Sequence, residues 1–211
     1  MWWLPPVTMN WETLTHASYR PYGGIAAGKS TASAHFAALG ARVVDHDVLA
    51  RRAVEPGSAG LVDIVRVFGD RVIKDGSLDR AALAAIVFND PTARERLNGI
   101  VHPSVFAMGR AADRQARADG VDVVVHDIPL LVESGQIADF DTVITVAAPV
   151  EVRVERLIAS RGMTRQEAVA RIGAQASDDA RAAIADVVLD GAGSAESLRR
   201  QVEEWWAVHV P

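Results

Sequence analysis

The chain has 211 residues, with 22 basic and 27 acidic side chains that give a formal net charge of −5, and it contains no cysteine. The lack of cysteine excludes disulfides, zinc–thiolate sites and thiol nucleophiles. The excess of acidic side chains argues against a general nucleic-acid-binding protein, which would need a basic face. No apolar run approaches the length of a membrane span and the first residues do not resemble a signal peptide, so we expect a soluble, cytoplasmic protein without membrane contacts. The sequence does not fix the oligomeric state, and we favour a monomer.

Residues 1–22 differ from the rest of the chain. Three of the five tryptophans lie within the first eleven residues, and prolines interrupt the segment, the last of them Pro21. Because proline cannot donate to a ladder, residues 16–22 predict a poor central strand. A reading frame shifted by one base allows Met-Arg-Leu-Ile-Gly-Leu-Thr at these positions, which is an apolar strand. One interpretation of residues 1–22 is therefore out-of-frame translation, and the other is an unusual native extension.

From Gly23 onward the hydrophobic periodicity is regular and predicts alternating helices and strands. We expect helices over 29–39, 149–160, 164–175, 177–185 and 194–208, and buried strands over 41–45, 122–127, 141–146 and 186–190. Residues 46–119 have a helical pattern with breaks at Pro56-Gly57, Gly69, Asp75-Gly76, Pro91 and Pro103. This order predicts an α/β fold, a three-layer core with a parallel sheet covered on both faces and a helical insertion.

A glycine-rich loop precedes the first of these helices. Residues 23–30 read Gly-Gly-Ile-Ala-Ala-Gly-Lys-Ser and fit the pattern G-x-x-x-x-G-K-[ST] in full. Glycines let main-chain amides approach phosphate oxygens, and the N-terminus of the next helix favours an anion. In such a loop Lys29 reaches the β- and γ-phosphates, and the Ser30 hydroxyl ligates Mg²⁺. The loop predicts a site for ATP and Mg²⁺; a glycine-rich turn before a helix is the plainer alternative.

Two acidic residues, Asp45 and Asp47, follow the strand predicted over 41–45. Ligands of α/β sheets bind at the carboxyl ends of the strands, so these side chains are expected near the phosphate loop. A carboxylate there can accept the proton of a hydroxyl that attacks a γ-phosphate. A pair of solvated acids at the start of a helix is the alternative.

With further motifs in the same order, the chain resembles the dephospho-CoA kinases over residues 23–200. The matching segments are Leu39-Gly40, Val44 to Asp47, Ala50-Arg51, Val54 to Gly57, Phe68-Gly69, Asp75 to Arg80, Val87-Phe88, His102-Pro103, Asp127 to Gly135, Arg171-Ile172 and Gln175 to Ser177. The resemblance implies a P-loop nucleotide kinase that transfers the γ-phosphate of ATP to the 3′-hydroxyl of dephospho-CoA, the last step of coenzyme A synthesis.

The same resemblance implies roles for individual residues. It places around ATP and Mg²⁺ the residues Gly23, Gly24, Ile25, Ala26, Ala27, Gly28, Lys29, Ser30 and Thr31. It implies that Asp47 is the general base, and that Asp127 orients the Mg²⁺ shell or caps the turn after its strand. Glu133, in the same matching segment, is a weaker candidate. Around dephospho-CoA it places Asp47, Arg51, Leu78, Asp79, Arg80, His102 and Pro103. For His102, a packed histidine at the start of a helix is the alternative.

The resemblance also divides the chain into parts. The P-loop core comprises residues 23–45, 120–148 and 186–211, the region that binds dephospho-CoA is 46–119, and a lid is 149–185. In such a lid, Arg156 and Arg161 would close on the phosphates and stabilise the charge that spreads during transfer. Two solvated helix arginines are the alternative.

Two departures from the family pattern matter. The family has Ile-Gly-Leu-Thr before the loop, where this chain has Arg20-Pro21-Tyr22, and Asp-Asn after the last strand, where this chain has Asp190-Gly191. The first departure puts the central strand in question, and the second puts an adenine contact in question. Two alternatives therefore stay open: another P-loop small-molecule or nucleotide kinase, or a protein that binds ATP but is inactive because its first strand is disrupted.

Overall fold

The computed structural model describes residues 17–88, 90–128 and 140–210, and it describes only the backbone of residues 17–22. The predictions for residues 1–16 and for Glu133 lie outside these ranges. The strands of the main sheet are β1 (Ala17–Gly23), β2 (Arg42–Asp45), β5 (Val123–Asp127), β6 (Thr142–Ala147) and β7 (Val187–Asp190). The helices are α1 (Lys29–Ala38), α2 (His46–Arg52), α3 (Ala59–Phe68), α4 (Arg80–Phe88), α5 (Pro91–Ala118), α6 (Val150–Arg161), α7 (Arg165–Gly173), α8 (Asp178–Ala182) and α9 (Ala195–His209).

These five strands form one parallel sheet in the order β2-β5-β1-β6-β7. At one end of the sheet Asp45 of β2 is in register with Asp127 of β5. At the same end Gly23, the last residue of β1, is in register with Val146 of β6. The predicted parallel sheet is confirmed, and it brings the phosphate loop and both acidic segments to one edge, where α/β folds bind ligands.

The expectation of a poor strand before the loop is wrong for the backbone. Residues Ala17–Gly23 lie centrally in the sheet, between β5 and β6. The register with β5 covers Ala17 to Tyr19 and ends two residues before Pro21, which lies opposite Ile144 of β6. The segment that leads into the loop pairs with a strongly apolar strand on each side, β5 and β6. This tertiary context outweighs its weak strand propensity. The reading-frame interpretation stays a prediction.

Helices cover both faces of the sheet. In β5, Val123 and Val125 belong to one buried cluster and Val124 belongs to another, as expected for a strand that is buried on both sides. The first cluster contains Phe36 of α1 and Trp205 of α9, which pack edge to face with ring centroids 5.6 Å apart. The predicted three-layer arrangement is therefore confirmed.

Within the described ranges no helix has the combined length and apolar character that a membrane crossing requires.

Residues 46–119 are helical as predicted, with two differences. Two short antiparallel strands, β3 (Ile73–Lys74) and β4 (Ser77–Leu78), flank a turn at Asp75 and Gly76. Both turn residues have positive φ, 51° and 75°, which is why Asp-Gly is a strong hairpin signal. Pro103 does not end a helix but lies inside α5. Buried residues such as Val105 fix α5 against the second cluster, and this packing outweighs the proline.

Candidate active site

The phosphate loop joins β1 to α1. Its turn is closed by a hydrogen bond from the Ala27 amide to the Gly24 carbonyl, 3.0 Å long. Gly28 has a φ of 115°, which favours glycine, and Lys29 begins the helix directly after it. Ala26 has a φ of 60° although it carries a Cβ, so the loop holds one strained residue. The loop and the helix N-terminus have the arrangement predicted for phosphate binding.

The loop lysine is fixed by the neighbouring strand. Lys29 Nζ donates to one oxygen of Asp127, the last residue of β5. The other carboxylate oxygen of Asp127 accepts from Ser33 Oγ at 3.0 Å. Asp127 therefore ties the C-terminal end of β5 to the first two turns of α1.

A cleft of about 900 Å³ opens in front of the loop. The residues that line it are Gly23, Gly24, Ile25, Ala26, Gly28, Lys29, Ser30, Thr31, Asp47, Arg156, Ala159, Ser160, Arg161, Gln175, Gly191, Gly193, Ser194, Ala195 and Leu198. Such a volume is typical of a site for a small-molecule ligand. Lys29 and Asp47, which lie on different elements, face this same cleft.

Asp47 lies in the first turn of α2. Asp45 is the N-cap of this helix, and its side chain accepts from the amides of Asp47 at 2.8 Å and of Val48 at 3.1 Å. Burial raises the pKa of Asp47, the charge of Asp45 raises it further, and Lys29 opposes the shift. A carboxyl group with a raised pKa that faces a phosphate site is suited to take a proton from a hydroxyl.

Side chains from α6 and the segment after α7 bind the loop backbone. Arg156 Nη1 donates to the carbonyls of Ala26 at 3.2 Å and Ala27 at 3.3 Å, and Arg156 Nη2 donates to the carbonyl of Gly193 at 3.0 Å. Gln175 Oε1 accepts from the Ile25 amide at 2.8 Å. Arg156 therefore holds the loop in this state, which the solvated-helix alternative does not describe.

Arg153 lies behind the loop and is almost fully buried, at 1% exposure. Its Nη2 donates to Asp178 at 2.8 Å, and Asp178 also accepts from Arg181. A Cβ atom added to Gly24 would lie 2.1 Å from Arg153 Nη1, so this glycine permits the close approach of the guanidinium. Neither residue was predicted to have a role in the site. The Gln175–Ile25 bond spans 150 residues, and the position of Arg153 follows from burial that its sequence context does not indicate.

The residues implied for dephospho-CoA do not gather in the same cleft. None of Arg51, Leu78, Asp79, Arg80, His102 and Pro103 is among the described residues that line it. Asp79 caps α4 by accepting from the amides of Ala81 and Ala82, both at 3.0 Å. His102 packs its ring on Phe106 with centroids 6.0 Å apart, and burial lowers its pKa. Arg51 lies close enough to Asp47 to lower the pKa of that carboxyl.

Gly191, one of the two departures from the family pattern, lies directly against the phosphate loop. Its amide donates to the Ala147 carbonyl at 2.7 Å. A Cβ atom at this position would lie 2.0 Å from the Ala27 carbonyl oxygen. An asparagine in this loop conformation would collide with the phosphate loop, so the glycine allows the two loops to touch.

Ser30 and Asp127 offer oxygen ligands for a divalent cation beside the loop. Among the described residues there is no cluster of three or more carboxylate, histidine or cysteine side chains that could hold a metal ion. The Ser30 hydroxyl lines the cleft, and the Asp127 carboxylate is bound to Lys29. Mg²⁺ is commonly held by one or two protein oxygens together with phosphates and water, and this sparse donor set fits that mode.

Comparisons with known proteins agree with this geometry. A family model described as Dephospho-CoA kinase matches residues 22–197. The chain is 47% identical over 185 residues to the dephospho-CoA kinase of Thermobifida fusca (strain YX), an alignment that covers 87% of this chain and 92% of that protein. It is 52% identical over 189 residues to that of Mycobacterium tuberculosis (strain ATCC 25618 / H37Rv), with 89% of this chain and 46% of the relative covered. The chain thus spans about half the length of the mycobacterial relatives it matches.

Two solved structures share the fold. A crystal structure from Thermus thermophilus superposes with a TM-score of 0.78 at 34% identity and covers 93% of this chain and 99% of that chain. A dephospho-CoA kinase from Campylobacter jejuni superposes with a TM-score of 0.68 at 24% identity and covers 90% and 95% of the two chains. The predicted α/β P-loop fold is confirmed by these structures.

Proposed function

The chain belongs to the dephospho-CoA kinase family, and from this premise we propose that it transfers the γ-phosphoryl group of ATP to the 3′-hydroxyl of dephospho-CoA, which yields CoA and ADP. The observation that carries the proposal is that Lys29 and Asp47 face one cleft. A phosphoryl donor and a hydroxyl acceptor must meet in one place, and this cleft offers a cation for the first and a base for the second.

In the proposed reaction Asp47 is the general base. The acceptor hydroxyl gives its proton to the Asp47 carboxylate while its oxygen forms a bond to the γ-phosphorus. The bond between that phosphorus and the oxygen that bridges to the β-phosphate breaks, and ADP leaves. Because burial raises the pKa of Asp47, its carboxylate is a better proton acceptor than an exposed aspartate.

The donor nucleotide is held by the loop. Main-chain amides of residues 23–31 and the Lys29 ammonium would contact the ATP phosphates. We assign Mg²⁺ to the Ser30 hydroxyl, with the Asp127 carboxylate in its outer shell, where the ion would neutralise charge on the phosphate oxygens. Because the ATP phosphates are anionic like the Asp127 carboxylate, Lys29 would give up part of its contact with Asp127 and bind the phosphates.

The lid residues would act on the same phosphates. Arg161 lines the cleft and forms no ion pair with any described residue, so its guanidinium is available to a phosphoryl group. Arg156 is proposed as a catalytic group that exchanges its loop carbonyls for phosphate oxygens when the lid closes. Closure of this kind would stabilise the transferring group and exclude water.

The acceptor would bind on the side of α2 and the helical region 46–119. We retain as its contacts Arg51, Leu78, Asp79, Arg80, His102 and Pro103. In the present arrangement these residues do not line the cleft itself. We also propose that the protein works in the cytoplasm as a monomer, which size-exclusion chromatography with light scattering would test.

A coupled assay of ADP release tests the proposal. Purified protein is given ATP and Mg²⁺ with dephospho-CoA, AMP, shikimate or no acceptor. We expect release of ADP only in the mixture that contains dephospho-CoA. Release with another acceptor would assign the protein to a different small-molecule kinase, and ATP binding without release in any mixture would identify an inactive nucleotide binder.

A further inference from the structure

Two buried histidines have no role in the proposed reaction, although each is adjacent in sequence to an acidic residue of the site. His46 is 6% exposed and begins α2, directly between Asp45 and Asp47. His126 is 2% exposed and lies in β5, directly before Asp127. A fully buried imidazole is costly unless its nitrogens are bonded, so the partners of both rings need an explanation.

The two rings and one acid form a continuous chain of hydrogen bonds. His46 Nε2 lies 2.9 Å from His126 Nδ1, and His126 Nε2 lies 2.7 Å from Asp113 Oδ1 on α5. An ionised carboxylate only accepts, so His126 carries its proton on Nε2 and its Nδ1 accepts from His46 when the ring is neutral. The hydrogen bonds therefore run in one direction: His46 donates to His126, and His126 donates to Asp113.

The surroundings hold both rings in place. Gly109 of α5 packs against them, and a Cβ added there would lie 3.6 Å from His46 Nε2 and 3.7 Å from His126 Cε1. Phe140 meets the His126 ring edge on, with centroids 5.1 Å apart, and Phe106 lies 6.3 Å from His46 by the same measure. Rings packed in this way can take few orientations, so the bond between them fixes the distance between their backbones.

These hydrogen bonds link the ends of two strands. Asp45 at the end of β2 is in register with Asp127 at the end of β5. His46 directly follows Asp45, and His126 directly precedes Asp127. A bond between His46 and His126 therefore holds the first turn of α2 against the end of β5. Asp47 lies in that turn, and Asp127 holds Lys29.

We propose that His46 and His126, anchored by Asp113, are positioning residues that set Asp47 at a fixed distance from the Lys29–Asp127 pair. The proposal rests on the proposed function, since it assumes that Asp47 receives the acceptor proton. Loss of alignment by about 1 Å can lower a rate about a hundredfold, so such a link has a measurable effect on turnover.

Two substitutions of similar size separate positioning from volume. His46→Leu fills the space without a donor, whereas His46→Gln keeps a donor at roughly the reach of Nε2. We expect His46→Leu to lower kcat about 10- to 100-fold with an unchanged KM for ATP, and His46→Gln to recover most of it. The double variant His46→Leu with His126→Leu should lose no more than the single variant, because both break one bond.

Further variants keep the test decisive. Asp113→Ala removes the partly exposed anchor, so it should fold even if the buried variants do not, and we expect a smaller loss of kcat. His35→Leu is the matched control: it removes a histidine bonded to Glu203 at 2.9 Å and should leave kcat unchanged. Spectra of the ¹⁵N-labelled histidines should show protonated Nε2 on both rings and a change at His126 in Asp113→Ala.

The outcomes separate this inference from the proposed function. If the wild type converts dephospho-CoA and His46→Leu and Asp113→Ala both retain full kcat, the inference is wrong while the function stands. If His46→Gln and His46→Leu lower kcat equally and have the same melting temperature, the hydrogen bond has no role and the inference is also wrong. A wild type that releases no ADP with dephospho-CoA would overturn the function, and the positioning role with it.

Discussion

The cleft has two sides that are held together in different ways. On the donor side, comprising the phosphate loop, α6 and α7, Arg156 and Gln175 bind main-chain atoms of the loop. On the acceptor side, comprising α2, β5 and α5, side chains bind each other, as His126 does with Asp113. The phosphate loop is therefore held mainly through its backbone, whereas the contacts of β5 with α2 and α5 depend on the identity of His46, His126 and Asp113.

This difference predicts how the two sides respond to substitution. Main-chain groups of the loop survive most changes of side chain, so variants there should weaken ATP binding, and they should lower turnover as well where the side chain contacts the transferring group. A chain of side-chain bonds has no substitute partners, so variants on the acceptor side should lower turnover and leave ATP binding intact. The following predictions are ordered from the largest expected effect to the smallest.

The largest effect is expected on the acceptor side, from Asp47→Asn. Loss of a general base lowers kcat by about 10²- to 10⁴-fold, while ATP binding measured by calorimetry should stay within twofold of wild type. Because burial raises the pKa of Asp47, its ionised form is disfavoured in the fold, and the variant should melt no lower than wild type at neutral pH. Unchanged turnover would remove Asp47 from the role of base.

The same residue predicts the acid limb of the pH profile. The base acts when unprotonated, so turnover falls as the pH decreases through the pKa of Asp47. That pKa is raised by burial and by Asp45, so the fall should begin at higher pH than for an ordinary aspartate. A kcat that stays constant down to the pH at which an exposed aspartate titrates would contradict this assignment.

On the donor side, Lys29→Ala should reduce both binding and turnover. Removing one charged contact to the transferring group costs about 10²- to 10³-fold in kcat, and the affinity for ATP should fall as well. Lys74→Ala, on the short hairpin, is a matched control and should match wild type. Tight ATP binding by Lys29→Ala would break the division between the two sides.

Both sides depend on β1, which carries the loop. Changing residues 17–22 to the shifted-frame sequence makes the substitutions Ser18→Leu, Tyr19→Ile and Pro21→Leu, among others. Each apolar side chain buried in a central strand contributes about 1.5–3 kcal/mol, so we expect the repaired chain to melt at least several degrees higher. Equal melting temperatures would count against the reading-frame interpretation, and a CAC codon for His16 in the gene would exclude it.

A smaller effect is expected from Gln175→Ala. This variant leaves the Ile25 amide without its acceptor, and an unpaired polar group in a partly buried site costs about 1–3 kcal/mol. The KM for ATP should rise about tenfold with little change in kcat, if that energy appears as weaker binding. Gln115→Ala, which removes a surface bond to Asp119, is the control. A fall in kcat alone would place Gln175 with the acceptor side.

The smallest effect is expected from Ala26→Gly. Ala26 has a φ of 60°, a conformation that costs an L-residue about 1–2 kcal/mol, part of which is offset by the greater freedom of glycine when unfolded. We expect a rise in melting temperature of about 2–4 °C or less. Ala27→Gly in the same loop, where the residue is buried and φ is not positive, should lower it. The opposite order would show that the loop is unstrained.

The donor side was predictable from the sequence because its chemistry is local. Residues 23–30 contain the whole loop motif, and the strand and helix that hold it follow from periodicity. The bonds that support it were not predictable, since Gln175 reaches Ile25 across 150 residues. The hairpin at Asp75 and Gly76 had a clear signal that was read only as a break between helices.

The acceptor side was predictable only in part. The position of Asp45 and Asp47 at the end of β2 made both candidate bases, and the family resemblance singled out Asp47. Nothing local indicates that His46 bonds to His126, because the two are 80 residues apart and meet only when β2 and β5 pair. The central place of β1 was also missed, because its propensity was weighed without the two strands that flank it.

The most direct test of the account is a measurement of ADP and CoA in one reaction mixture by mass spectrometry. For the wild type with ATP, Mg²⁺ and dephospho-CoA, we predict one CoA for each ADP, and for Asp47→Asn we predict almost none of either despite bound ATP. ADP formed without CoA, or equal yields from the two proteins, would contradict a cleft in which Lys29 holds the donor and Asp47 activates the acceptor.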